Sequence, residues 1–305
     1  MVPPAVLQLF RNYCRELALF AFDRKLESDR ILRLLARHHI SARLYKGLDL
    51  SQLLYNDLAM REFTDMDLII DATQVKSIVD VMHTAGYTMQ LEDYYKRHPL
   101  HYSHHSKDLL FGKRNARGTW LNFELHYRPT KALMPVCYTF PELLGADYLA
   151  RDYTYEDYYK IMLVNNGASD FYPHLRSLLD MLLLYRHGPF NLPPELKRFE
   201  YLWQQLAVSL LEASFEISPP DKTFPLLRKR LLRPEPAKYS FLQQAWVNVV
   251  FGNSFHAKYR AFIRHLSFLL RPNANDFAMV RLPFVFLYYL TKPFRLAANL
   301  FARLK

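Results

Sequence analysis

Apolar side chains recur every three to four positions at Leu7, Phe10, Leu17 and Ala21, and again at Ile31, Leu34 and Leu35, which predicts two helices over residues 4–39. A short apolar run at Ala42–Tyr45 predicts a strand, and Leu48–Asp57 a helix. Asp65-Met66-Asp67-Leu68-Ile69-Ile70 then alternates polar and apolar before running into an apolar end, the pattern of a strand with one polar face at its start. Thr73–Ala85 has helical spacing and stops at Gly86, the residue helices favour just past their last turn. Tyr87–Leu91, Leu100–His105, Leu109–Lys113 and Thr119–His126 are predicted strands, the last two joined by a turn at Asn115–Gly118.

From about Glu156 helical spacing takes over, at Tyr158–Asn166, Tyr172–His187, Pro194–Phe215, Phe241–Phe251 and Lys258–Leu270, separated by turn clusters such as Gly188-Pro189 and Ser218-Pro219-Pro220. Strands and helices mingle in the first half without a repeating βαβ order. The expected fold class is therefore α+β. Residues 1–155 would form a mixed β-sheet core with two leading helices, and residues 156–305 a mainly α-helical C-terminal region.

Composition narrows the function classes. Half of the 305 residues are hydrophobic, enough to bury a core, and 8 Gly against 18 Pro leave no G-x-G-x-x-G or G-x-x-x-x-G-K-[ST] loop. Dinucleotide-binding and P-loop architectures are excluded on that ground. Cys14 and Cys137 are too few and too far apart for a disulfide framework or a cysteine metal site, and both are expected to be reduced and buried in a cytoplasmic protein. The first twenty residues lack the charged, apolar and small-residue regions of a signal peptide. The apolar run Leu282–Leu290 is too short to cross about 30 Å of hydrocarbon, so no transmembrane helix is predicted.

The net charge of +11 is unevenly spread: Lys222–Lys305 holds 15 Lys or Arg against two acids, a net +13, while residues 1–221 hold 25 basic and 27 acidic residues, a net −2. Such a segment attracts phosphates, nucleic acid or an anionic membrane surface.

Candidate chemistry begins at Asp65 and Asp67. Two apart on a strand, their carboxylates share one face and repel, so they are either solvated or held by a cation, and a divalent metal is the usual partner. The histidines of His98-Pro-Leu-His101-Tyr-Ser-His104-His105 would alternate faces on a strand and have neither a Cys partner nor an H-E-x-x-H pattern, so no zinc site is expected there. Asp180 lies among apolar residues and would need a partner, His174 or Arg176 being nearest in sequence.

Leu44-Tyr45-Lys46-Gly47-Leu48, Leu53-Leu54-Tyr55, Arg61, the Asp65–Ile70 block and Phe123-Glu124-Leu125-His126-Tyr127 together resemble the uncharacterised nucleotidyltransferase family of the DNA polymerase β superfamily. Diffuse similarity continues through His174–Leu184, Arg271-Pro272, Tyr289, Lys292-Pro293 and Arg295. The resemblance implies a nucleotidyltransferase-like core and Mg²⁺-dependent transfer of a nucleoside monophosphate from a nucleoside triphosphate to an acceptor hydroxyl or phosphate. It implies that Asp65, Asp67 and Glu124 are catalytic, Asp65 and Asp67 holding two Mg²⁺ ions, or Mn²⁺, about 3.5–4 Å apart, with Glu124 as the third metal ligand or as general base for an acceptor hydroxyl. It further implies that Lys46, Gly47, Arg61 and His126 bind the nucleotide. The acceptor could be a small molecule, a sugar phosphate or a protein.

The chain departs from the wider superfamily in three ways. Lys46-Gly47-Leu48 replaces the Gly-Ser or Gly-Gly pair, the spacing from Gly47 to Asp65 is longer, and the third acid is Glu. The alternative is a catalytically degenerate protein of the same fold that binds nucleic acid, a partner protein or an anionic membrane. In the membrane case Phe277–Lys305, with its aromatic and basic residues, would sit peripherally at the inner face.

Overall fold

The computed structural model describes residues 2–130, 136–172, 174–216, 220–233, 241–250, 255–272, 276–277 and 280–303. The leading segment forms one helix, α1 (Pro4–Arg37), where two were expected. No Gly or Pro follows Pro4 to interrupt it, and the polar stretch 23–30 that resembles a break carries helix-spaced ion pairs, Lys25–Asp29 and Glu27–Arg30, both at 2.6 Å. Its C-terminal part alone is packed, through Ala21, Arg24, Ser28, Ile31 and Leu35.

There follow β1 (Ala42–Leu44), α2 (Gly47–Tyr55), β2 (Met66–Ile70), a 3₁₀ turn, α3 (Val75–Thr84), β3 (Thr88–Met89), α4 (Glu92–Arg97), α5 (Pro99–His105), β4 (Asp108–Arg114) and β5 (Trp120–His126). The strand expected at Leu100–His105 is thus a helix. Pro99 explains it, because a proline donates no ladder hydrogen bond and its fixed φ suits a first helical turn. His101 and His105 therefore share a helix face and stack at 4.0 Å. Tyr87–Leu91 contracts to the two residues of β3. Cys14 and Cys137, expected to be buried, are exposed, Cys14 lying on the unpacked part of α1.

The sheet order is β1-β2-β5-β4-β3, with β2 and β5 parallel and the other pairs antiparallel. One face is apolar throughout: Met66, Leu68 and Ile70 of β2, Leu109 and Phe111 of β4, and Leu121, Phe123 and Leu125 of β5 pack with Ile31 and Leu35 of α1 and Ile78 and Met82 of α3. Phe277 and Tyr288, far along the chain, close the same cluster. On the opposite face only Ile69, beside Tyr45, joins the second core. The polar side chains of that face gather at the C-terminal helical region.

That region comprises α6 (Phe140–Leu144), α7 (Tyr155–Met162), a π-helical turn over Leu163–Ser169, α8 (Leu175–Tyr185), α9 (Pro194–Leu211) and α10 (Phe224–Leu231). Reciprocal capping boxes, Thr139 with Glu142 and Thr154 with Asp157, start α6 and α7. The helices α11 (Phe241–Val250), α12 (Phe255–Leu270) and α13 (Val285–Arg303) complete the described chain. The expected turn at Ser218-Pro219, the end of a helix at Phe251, and Lys305 lie outside the described residues. Among the described residues no helix is long and apolar enough to cross a membrane.

Candidate active site

Strand register creates the site. Asp67 of β2 stands directly opposite Glu124 of β5, and Ile69 opposite His126, so the acids of the two strands meet on the polar face of the sheet. Asp65 lies just before β2, two residues from Asp67, close enough to feel the charges of both Asp67 and Glu124. Ligand atoms of Asp67, Glu124 and His126 all lie within 4.8 Å of one another.

The electrostatics divide these acids. Burial and then the neighbouring charges of Asp67 and Glu124 push Asp65 up to about 6. Burial would raise Asp67 as well, but Lys46 and His126 outweigh it and hold that carboxyl well below the usual range. Lys46 Nζ lies 3.0 Å from Asp67 Oδ1, and His126 Nε2 2.8 Å from the same oxygen. Glu124 is likewise held low, against its burial, by His126, whose Nε2 is 3.2 Å from Glu124 Oε2. Two ionised carboxylates offer only acceptors, so His126 carries its proton on Nε2 and donates it. The imidazole is fully buried, set edge-on to Tyr45 at 5.1 Å, with Nδ1 3.7 Å from Asp108. It orients the acids.

Lys46 and Gly47 form the turn between β1 and α2. Lys46 adopts φ 61° and ψ −156°, a backbone region almost confined to glycine, and Gly47 has φ +38°. Held this way, the Lys46 ammonium reaches Asp67 and, at 3.4 Å, Asn165 Oδ1 of the π-helical turn. Arg24 of α1 donates to the Thr64 carbonyl at 3.4 Å, which ties the long helix to the segment carrying Asp65.

These groups open on a cleft of about 660 Å³ lined by Lys46, Gly47, Arg61, Asp65, Asp67 and Glu124 from the sheet side. Arg61 lies in it with Nε bonded to Asp180 Oδ2 at 3.0 Å, and Asp180 also accepts from Tyr55 at 3.2 Å. The partners of Asp180 are therefore Arg61 and Tyr55, rather than His174 or Arg176. The other wall was not anticipated from the sequence: Asn165, Asn166, His174, Arg176 and Ser177 line the cleft, while Lys107 joins the sheet side just ahead of β4. A signal existed in Asn165-Asn166-Gly167, three poor helix formers inside a helical pattern. They adopt a π-helical turn, a feature frequent at functional sites, and a Cβ at Gly167 would come within 2.6 Å of Tyr172 Oη.

The donor set fits a hard divalent cation. Asp67 and Glu124 supply oxygen atoms of the kind such a cation takes, and the raised Asp65 beside them marks negative charge that a cation would relieve. The nitrogen of His126 is already committed to Asp67 and Glu124.

The profile of a family described as uncharacterised nucleotidyltransferase matches residues 1–209. The chain belongs to that family, and its five-stranded mixed sheet with surrounding helices is an α+β nucleotidyltransferase-like fold. The match takes in the sheet and both walls of the cleft and ends within α9, so the similarities at Arg271–Arg295 lie beyond it. No curated protein and no solved structure matches the chain.

Proposed function

We propose that this member of the uncharacterised nucleotidyltransferase family transfers a nucleoside monophosphate from a nucleoside triphosphate to an acceptor hydroxyl or phosphate, in a Mg²⁺-dependent reaction. The meeting of Asp67 and Glu124 on one polar sheet face, with Asp65 lining the same cleft between basic walls, supports this reading. Those three acids would hold the metal, which when bound polarises the α-phosphate and offsets charge in the transition state. Glu124, kept ionised by His126, accepts the proton of the acceptor hydroxyl. Lys46 and Arg61 neutralise the triphosphate, Arg61 through a planar fork suited to phosphate oxygens. Gly47 supplies the positive-φ turn that starts α2.

The test is calorimetric titration of Mn²⁺ and of a non-hydrolysable nucleotide into the wild type and Asp65→Asn/Asp67→Asn, with labelled-nucleotide transfer assayed in parallel. Binding that is unchanged in the double variant would sink the assignment.

A second reading attaches to α12 and α13, which contain no Asp or Glu yet expose Phe255 at 86% and Phe294 at 77%. Basic helices with bared aromatics suit the surface of an anionic membrane, where the protein would sit peripherally while its cleft works.

A further inference from the structure

The cleft has a basic side that the metal-holding acids do not account for. Arg61 is 8% exposed, and Asp180 holds its Nε while no hydrogen bond engages either Nη group among the described residues. Arg176 hydrogen-bonds only a neutral group, the Glu62 carbonyl, and its Nε is buried without a partner. The two guanidiniums are close enough to repel: burial first, then Arg61, lowers the proton affinity of Arg176. Asp180 can neutralise one of them. Nearby, Asn166 is 7% exposed and its amide Nδ2 is buried with no acceptor.

Every unsatisfied group in this set is a donor. Glu62 and Asp170 also line the cleft and Glu62 tempers the charge of Arg176, but among the described residues neither carboxylate hydrogen-bonds Arg61, Arg176 or Asn166. Of these donors Arg176 Nε and Asn166 Nδ2 are buried, which is costly while they stay unpaired, and a ligand that removes the cost must be rich in acceptors and poor in donors. A polyphosphate is such a ligand. The place also suits one, because Arg176 grips the chain at Glu62, three residues and so at most about 10 Å from Asp65.

Building on the transfer reaction above, we infer that Arg61 and Arg176, with the Asn166 amide, form the subsite for the pyrophosphate leaving group. In the reaction a bond forms from the acceptor oxygen to the α-phosphorus as the bond from that phosphorus to the bridging oxygen breaks. The electron pair of the broken bond leaves on pyrophosphate, and the acceptor proton passes to Glu124. Arg61 and Arg176 neutralise the charge that arrives on pyrophosphate. Asp180 is a positioning residue, fixing the Arg61 fork from behind.

The experiment is titration of inorganic pyrophosphate into the full-length protein in EDTA, followed by calorimetry. Wild type should bind, Arg176→Gln should weaken binding by about ten-fold or more, and Arg176→Lys should recover part of the loss. Exchange of the exposed Arg11→Gln should leave the affinity within two-fold, and Mn²⁺ affinity should be the same in wild type and Arg176→Gln. Thermal melts of each variant establish that it is folded. A wild type that does not bind pyrophosphate, or an affinity indifferent to Arg176, overturns the inference. Arg176-dependent pyrophosphate binding without nucleotide transfer would uphold the anion subsite and sink the transfer reading instead.

Discussion

Replacing Asp65 by Asn should stabilise the metal-free protein. Burial and the charges of Asp67 and Glu124 raise this carboxyl from 3.8 to about 6. A rise of about two units corresponds to about 3 kcal/mol of native-state penalty once the group is ionised. Solvent screening at this half-buried position brings the expected gain for Asp65→Asn to about 1–2 kcal/mol.

The pH window follows from the sign. The folded carboxyl keeps its proton up to about 6 whereas the unfolded one releases it near 3.8, so the penalty is full above pH 6 and disappears below about pH 4. Urea denaturation in EDTA between pH 4 and 8 should therefore show the variant and wild type converging at the acid end and separating above pH 6. Saturating Mg²⁺ should reverse the order, since a ligand at about 100-fold its Kd stabilises by roughly 2.7 kcal/mol and the variant has lost an oxygen donor. A variant less stable than wild type at pH 7.5 in EDTA, or a difference that does not change with pH, would refute the electrostatic account.

Three further outcomes are expected. Mn²⁺ affinity, measured by calorimetry, should fall as pH drops from 7 to 5, because Asp65 takes up its proton near 6 and a protonated carboxyl is no ligand. Lys46→Met should destabilise the fold by about 3 kcal/mol in EDTA, because it strips the buried Asp67 carboxylate of its ammonium partner, and Mn²⁺ should recover part of the loss in urea melts. Full-length protein should co-sediment with phosphatidylserine vesicles but not with phosphatidylcholine vesicles at low salt. Phe255→Ser/Phe294→Ser should reduce that binding, and equal sedimentation on both lipids would count against the membrane reading.

The sheet side of the site was legible because its signals are local. Asp65-x-Asp67 and Glu124-x-His126 each declare a shared face through the two-residue period of a strand, and the flanking apolar residues say which face is buried. The leading helix and α5 were misread for equally local reasons. Polar residues between Ala21 and Ile31 look like a break until their ion pairs are seen, and alternating His, Leu and Tyr imitates a strand unless Pro99 is given its weight. The far wall of the cleft lay beyond such reasoning. Arg61 finds Asp180 119 residues away, and Lys46 finds Asn165 at the same separation. Neither pairing leaves a trace in spacing or composition, because one joins the loop after α2 to α8 and the other joins the β1–α2 turn to the π-helical turn.

That the cleft is walled by two distant stretches bears on how the chain can be divided. A piece ending at residue 155 would retain Asp65, Asp67 and Glu124, but Tyr45, Leu50 and Ile69 belong to a core most of whose side chains come from α7 to α10 and would be lost. It would also forfeit Asn165 and Arg176. Splitting the gene at that point should yield halves that are insoluble when made singly and that recover a working pocket only when produced together, the outcome expected if the sheet and the helices after it share one folding transition.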